Sequence, residues 1–281
     1  MAQVDFTRIA SNIGALNALN SLRNVNNKLA LHQQRLATGK RINSAADDPA
    51  GMTIAAKLNA RSEGMKTALN NIGDAKNLLS VAESGLSKIN GILTKMRNLA
   101  QQGISDTLGQ DERNAIITQM GEYEEQIQDT IDQTTWNGED LVANLTDMTF
   151  QTGANSGDTT TFDAVKLATV TGATNGLALD TTLSSVDSGS FASYMGDVDT
   201  AMDTISTKLS NVGSLISKLT FKEEQLAVSQ VNVESAYNRI MNADMAQEQL
   251  EATKYSILQQ TGITMLAQAN SAPQGILSLF R

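Results

Sequence analysis

Cysteine is absent from the 281 residues, and there are only two prolines, one histidine and one tryptophan, with aromatics at 4%. Each scarcity closes off a class of protein. Without cysteine there is no disulfide framework, no thiol nucleophile and no thiolate-held zinc. A single imidazole, His32, cannot supply the two-histidine metal motifs. Aromatic side chains fill much of a broad globular core, so their scarcity points to thin, helix-on-helix packing. No apolar run approaches the about 18 residues needed to span a bilayer, so no membrane insertion is expected. The opening MAQVDFTRIASN carries Asp5 and no apolar block, unlike a cleavable signal peptide. A cytosolic protein, or one exported by another route, remains.

Charge is unevenly spread. The net value of -9 conceals a basic start, where Arg8, Arg23, Lys28, Arg35, Lys40 and Arg41 face Asp5 alone within residues 1–41. Residues 98–207 hold eighteen acids against Arg113 and Lys166. Such an acidic stretch repels polyanions, and the basic start is spaced like a helix face instead of a cluster, so nucleic acid is not an expected partner.

What the sequence has in abundance is helical periodicity. Met65, Ile72, Leu79, Leu86, Leu93 and Ala100 recur every seven residues, with Ala68, Ala75, Ala82, Ile89 and Met96 three places later. This sustained a/d seam predicts a long helix in a coiled-coil arrangement. A second series runs through Ile205, Val212, Leu219, Leu226, Val233 and Ile240. Between them Ile116, Met120, Tyr123, Ile127 and Ile131 mark a shorter amphipathic helix. The expected fold is mainly α, an elongated rod of long coiled-coil-like antiparallel helices with a small β-hairpin region. Both ends of the chain are amphipathic as well, Ile9 to Leu29 strongly and Met241 to Leu266 more loosely. Each terminal stripe is modest, so these segments are expected to fray alone and to order against a partner.

Residues 141–200 change character, being rich in Thr, Gly, Ser and Asp. Short strands are expected around Thr149–Gln151 and Thr161–Val165, and Asn137-Gly138 is a turn signal. GANSG at 153–157 is read as a turn, because it lacks the Lys-Ser/Thr of a phosphate loop. Asp48-Pro49 is read as a helix start, with Asp as the cap and Pro at the first helical position. The carboxylate pairs Asp47-Asp48, Glu124-Glu125 and Glu223-Glu224 have no His, Cys or glycine-rich neighbourhood to give them a catalytic role. His32 reads as an ordinary surface or interface residue, and Asn144 is a weak glycosylation candidate. No catalytic residue, metal site or cofactor emerges, and the chain is not expected to be an enzyme.

Several segments resemble bacterial flagellin, in order and over essentially the whole chain. RLATGKRINSAADDPAG (35–51) is similar to the family's R-L-S-S-G-x-R-I-N-S-A-x-D-D-x-A-G. KINGILTKMRNLAQQ (88–102) follows, and QTTWNG (133–138) stands where the family usually has Q-T-x-F-N-G. FQTGANSGDTTT (150–161) resembles its I-Q-V-G-A-N-x-G-x-T hairpin, and QANSAPQGILSLFR (268–281) its A-N-Q-x-P-Q-x-V-L-S-L-L-R end.

The resemblance implies a structural subunit that polymerises with itself into the flagellar filament for motility. It implies an inner terminal coiled-coil layer from residues 1–44 and 238–281. Residues 45–237 would form an outer helical rod, with a β-hairpin region at about 138–200. Ile9, Ile13, Leu16, Leu258, Leu266, Leu277 and Leu279 are the expected filament-core packing residues. Export would run unfolded through the flagellar type III apparatus with an export chaperone, giving an extracellular protein. Hook-associated and cap proteins would be further partners. A surface recognised by animal Toll-like receptors in some flagellins corresponds to Lys95, Leu99 and Gln119. Well-recognised flagellins usually have Arg and Glu where Lys95 and Gln119 stand, so weakened recognition is expected. The rivals are a hook-filament junction protein, a flagellin with a mid-chain zinc peptidase, and a cytosolic coiled-coil scaffold. The zinc peptidase would need H-E-x-x-H, which is absent.

Overall fold

The computed structural model describes residues 12–142, 148–162 and 187–279, with side chains described as far as residue 271. It is mainly α-helical, as the sequence predicts. The order is α1 (Ile13–Thr38), α2 (Pro49–Gly103), α3 (Gln110–Gln133), β1 (Thr135–Trp136), β2 (Glu139–Asp140), β3 (Met148–Gln151), β4 (Thr159–Phe162), α4 (Ser188–Met241) and α5 (Met245–Leu279). Two compact units divide the chain, residues 61–231 and the combination of residues 1–60 with 232–281.

The 61–231 unit is built on the heptad seam. Every seam residue from Met65 to Ala100 is buried, none more than 2% exposed. From Ile72 onward these side chains join Met120, Ile127 and Ile131 of α3 and Val198, Ile205, Val212 and Leu219 of α4 in one apolar cluster. Leu226 of the second series packs at the margin of that cluster. Each fully buried Leu or Ile contributes about 1.5–3 kcal/mol through the apolar area it removes from water. Ion pairs tie α2 to α4 across the packing, Lys76 to Glu223 at 2.8 Å and Arg97 to Asp199 at 2.6 Å. Their order along the two helices makes them antiparallel.

Close approaches occur where side chains are smallest. A Cβ on Gly85 would lie 2.6 Å from Thr134 Oγ1, and one on Gly103 would run into the ring of Phe191. Thr134 ends α3, its hydroxyl donating to the Thr130 carbonyl at 2.6 Å. The chain then reverses through Asn137 and Gly138, with φ of 53° and 85°. Two positive φ values in succession are what a two-residue β-hairpin turn requires, and Asn-Gly supplies them with least strain.

The second hairpin pairs Met148 with Phe162 and Gln151 with Thr159. Its connecting turn is GANSG, closed by Asp158, whose carboxylate accepts from the backbone N–H and the side-chain amide of Asn155. Strand formation at Thr149–Gln151 is as expected, and of Thr161–Val165 the residues past Phe162 lie outside the described residues. The hairpin region differs from its expected bounds of about 138–200. Strands begin already at Thr135, and α4 begins at Ser188, with Asp187 Oδ1 accepting from Ser190 N at 2.8 Å. The first turns of α4 then bury Phe191, Tyr194, Val198 and Ala201.

Candidate functional site

In the unit of residues 1–60 and 232–281, α1 and α5 pack as an antiparallel pair. Asn12 Nδ2 donates to the Ala269 carbonyl at 2.8 Å, and Gln259 Nε2 to Asn26 Oδ1 at 2.9 Å. Gly262 lets Leu22 close in, since a Cβ there would lie 3.1 Å from the Leu22 methyl carbon. Asn12 also caps α1, its side chain accepting from Ala15 N, and Gly39 ends the helix in the left-handed conformation at φ 67°. Only glycine adopts that geometry without penalty.

His32, read from the sequence as an ordinary surface or interface residue, links the pair. Its Nδ1 lies 2.5 Å from Glu248 Oε2, and its ring stacks on Tyr255 with centroids 5.3 Å apart. Arg35 donates to the other Glu248 oxygen at 3.3 Å. Glu248 is the one charged residue buried among the described residues, and it is answered from two sides. No pattern within either helix reveals this contact, because it joins residues more than two hundred positions apart.

The segment RINSAADDPAG explains itself in hydrogen bonds. Arg41 donates through Nε and Nη2 to the Ile240 carbonyl, and its backbone N–H donates to the Met241 carbonyl at 2.6 Å. Ile42 packs with Ala55 and Met241 in a small buried cluster. Asp47 Oδ2 accepts from the backbone N–H groups of Asn43 and Ser44. Those bonds, that of Ser44 foremost, hold the Asp47 carboxyl below its ordinary value because they favour the charged form. Asp48 Oδ1 accepts from Gly51 N at 2.9 Å, so Asp48 is the cap of α2 and Pro49 its first residue, as expected. A Cβ on Gly51 would strike the Asp48 carboxylate and the Ile42 methyl. The segment is therefore a structural knot at a helix start.

The unit leaves much of its apolar surface open. Leu29, Ile42, Ala55, Met241 and Ala252 are the buried apolar side chains among its described residues. Leu16 is 60% exposed and Ile13 50%, and Leu250, Ile257, Leu258, Ile263 and Met265 of α5 are exposed as well. Of the expected packing residues, Ile13, Leu16 and Leu258 thus point to solvent within one chain, and Leu266 is half-buried. Ile9 lies outside the described residues, as do the side chains of Leu277 and Leu279. Asn144 also falls outside them.

Lys95, Leu99 and Gln119 sit where α2 meets α3. Lys95 Nζ lies 5.7 Å from the centroid of the Tyr123 ring, one turn beyond Gln119, and Leu99 is half-buried against the apolar cluster. Among the described residues no group of three or more His, Cys, Asp or Glu could hold a metal ion, and no helix is long and apolar enough to cross a membrane.

A helical chain whose two ends pair with each other while leaving apolar faces uncovered has the form of a self-associating structural subunit. Comparison with known proteins makes the class specific. Residues 9–147 match the bacterial flagellin N-terminal helical region, and residues 195–280 match the bacterial flagellin C-terminal helical region. Flagellin of Halalkalibacterium halodurans is 33% identical over 95% of this chain and 98% of that protein. The flagellin of Listeria monocytogenes is 30% identical (97% of this chain, 99% of that one), and that of Bacillus subtilis also 30% (98% and 100%). A solved structure described as a flagellar hook-associated protein from Vibrio parahaemolyticus aligns with a TM-score of 0.60 at 15% identity. It covers 70% of this chain and 100% of that one, a likeness of fold alone. The chain belongs to the bacterial flagellin family and is a structural subunit of the flagellar filament. The junction-protein alternative is not favoured.

Proposed function

We propose that residues 1–44 and 238–281 form the inner layer of the filament and residues 45–237 the outer layer. Apolar packing between neighbouring copies through Ile9, Ile13, Leu16, Leu258, Leu266, Leu277 and Leu279 drives assembly. The observation that carries this reading is the exposure of Ile13, Leu16 and Leu258 on helices that already share a partner. Burying such side chains between copies removes apolar area from water at about 25 cal/mol per Å². Contacts between different patches on successive copies do not close on themselves, so they extend a helical polymer.

Export precedes assembly in this reading. The chain passes unfolded through the type III apparatus, delivered by a chaperone, and orders its terminal helices between hook-associated and cap proteins outside the cell. Zero cysteine suits a chain that crosses compartments unfolded. Lys95, Leu99 and Gln119 form the surface through which a Toll-like receptor would engage the free subunit. That engagement is weakened, because Lys95 lacks the bidentate fork of Arg and Gln119 lacks the charge of Glu.

Deleting residues 270–281, or combining Ile13→Ser, Leu16→Ser and Leu258→Ser, tests the assembly reading. Both variants are expected to keep the thermal unfolding of the 61–231 unit and to yield no filaments by electron microscopy. Filaments of normal length from either one contradict the proposal.

A further inference from the structure

The 61–231 unit carries two charged stripes that no ion pair among the described residues neutralises. On α3, Asp111, Glu122, Glu125, Asp129 and Asp132 are all exposed. At 100° per residue they fall within an arc of about 80°, opposite the buried Met120, Ile127 and Ile131. Arg113 is the sole base of that helix, and its guanidinium is held by the Gly103 and Ser105 carbonyls.

On α4, Lys208, Lys218 and Lys222 likewise share an arc of about 80°. They border the β3–β4 hairpin. Lys208 and Lys218 line a cleft of about 300 Å³ with Thr161 and Phe162, while Lys222 and Arg61 line another of about 250 Å³ beside the GANSG turn. Asp158, which lines the second cleft, is engaged by Asn155, and Glu223, next to Lys222 in the chain, by Lys76. None of the four cations, and neither Glu122, Glu125 nor Asp129, is in an ion pair among the described residues.

We infer that the acidic stripe of α3 on one copy docks against the cationic stripe and clefts beside the β3–β4 hairpin of a second copy. This rests on the filament reading and adds a surface to it. The spans agree. Lys208 to Lys222 covers about 21 Å of helix, and the dense part of the acidic stripe, Glu122 to Asp132, about 15 Å, so that part fits within the cationic span and Asp111 lies beyond it. Either cleft is large enough to admit a carboxylate side chain. In a chain of net charge -9, copies repel on average, and complementary patches offset that repulsion in one register only. The two patches differ, so the contact is heterologous and propagates.

The test compares critical concentrations for polymerisation at low and high salt. Lys218→Glu with Lys222→Glu, and separately Glu122→Lys with Glu125→Lys, are each expected to raise the critical concentration at least tenfold in about 0.05 M salt. Circular dichroism of the monomers should be unchanged, since all four side chains lie outside the core. Combining the four changes in one chain should restore assembly, because the swapped charges again complement each other. In about 1 M salt, where the Debye length is about 3 Å, the differences should shrink. Critical concentrations equal to the unaltered chain's in either pair, or no recovery in the combined variant, overturn the docking. Failure of the unaltered chain to polymerise would instead overturn the filament reading.

Discussion

Residues 61–231 and the unit of residues 1–60 with 232–281 are both built mainly from amphipathic helices, yet they dispose of their apolar side chains differently. In the first, three helices close around one cluster, and Leu79, Leu86, Ile89 and Leu93 have no exposed surface at all. In the second, two helices face each other and leave Leu16, Leu250 and Ile257 in solvent. A third helix is what makes the difference. Two helices can each bury only the stripe at their line of contact, whereas three enclose a common interior. Ion pairs join helices in both units, but the buried charge, Glu248 held by His32 and Arg35, lies in the second, where apolar closure is thin.

This contrast predicts where substitutions hurt. The largest loss should come from Leu93→Ala, which empties a sealed position at a cost of roughly 2–5 kcal/mol. Chemical denaturation of the monomer measures it, and a loss below about 1 kcal/mol would mean that the 61–231 core is not sealed. Gly103→Ala comes next, since its Cβ collides with the Phe191 ring, and overpacking of this kind costs roughly 1–3 kcal/mol. Pairing it with Phe191→Leu should recover part of that loss in a double-mutant cycle, because the two positions touch.

The smallest effect is expected at Asp47, in the other unit. Its lowered carboxyl pKa means that its charged form supports the fold above the unfolded value of about 3.9. That support fades as pH falls through the lower folded value. Asp47→Asn should therefore lower the melting temperature slightly at pH 7, and the gap should narrow as pH drops below about 4. A gap that does not change with pH would mean the two backbone bonds to Asp47 do not depend on its charge.

The heptad seam was legible because both of its periods, seven and three, point at one buried line, and a helix of that regularity has one way to hide it. The cap at Asp48-Pro49 and the turn at Asn137-Gly138 were legible because their backbone geometry is set locally. The start of α4 was not. Phe191, Tyr194, Val198 and Ala201 follow steps of three and four behind the Asp187 cap, but they sit in a stretch whose Ser and Gly content suggests a loop. The spacing and the cap together were the signal that could have found them. The clasp at Glu248 was illegible because it depends on how two distant helices are rotated toward each other. Rotation also decided the expected packing residues. Periodicity placed Ile13, Leu16 and Leu258 on apolar stripes, and within one chain those positions lie outside the line where α1 meets α5.

If one unit closes on itself and the other is completed by neighbouring copies, hydrogen exchange will differ between the monomer and the filament in the second unit alone. Amides of residues 72–100 and 116–131 should be slow in both states, while those of α1 and α5 should exchange quickly in the monomer and become protected in the filament. Equal protection of α1 and α5 in the two states would contradict the account.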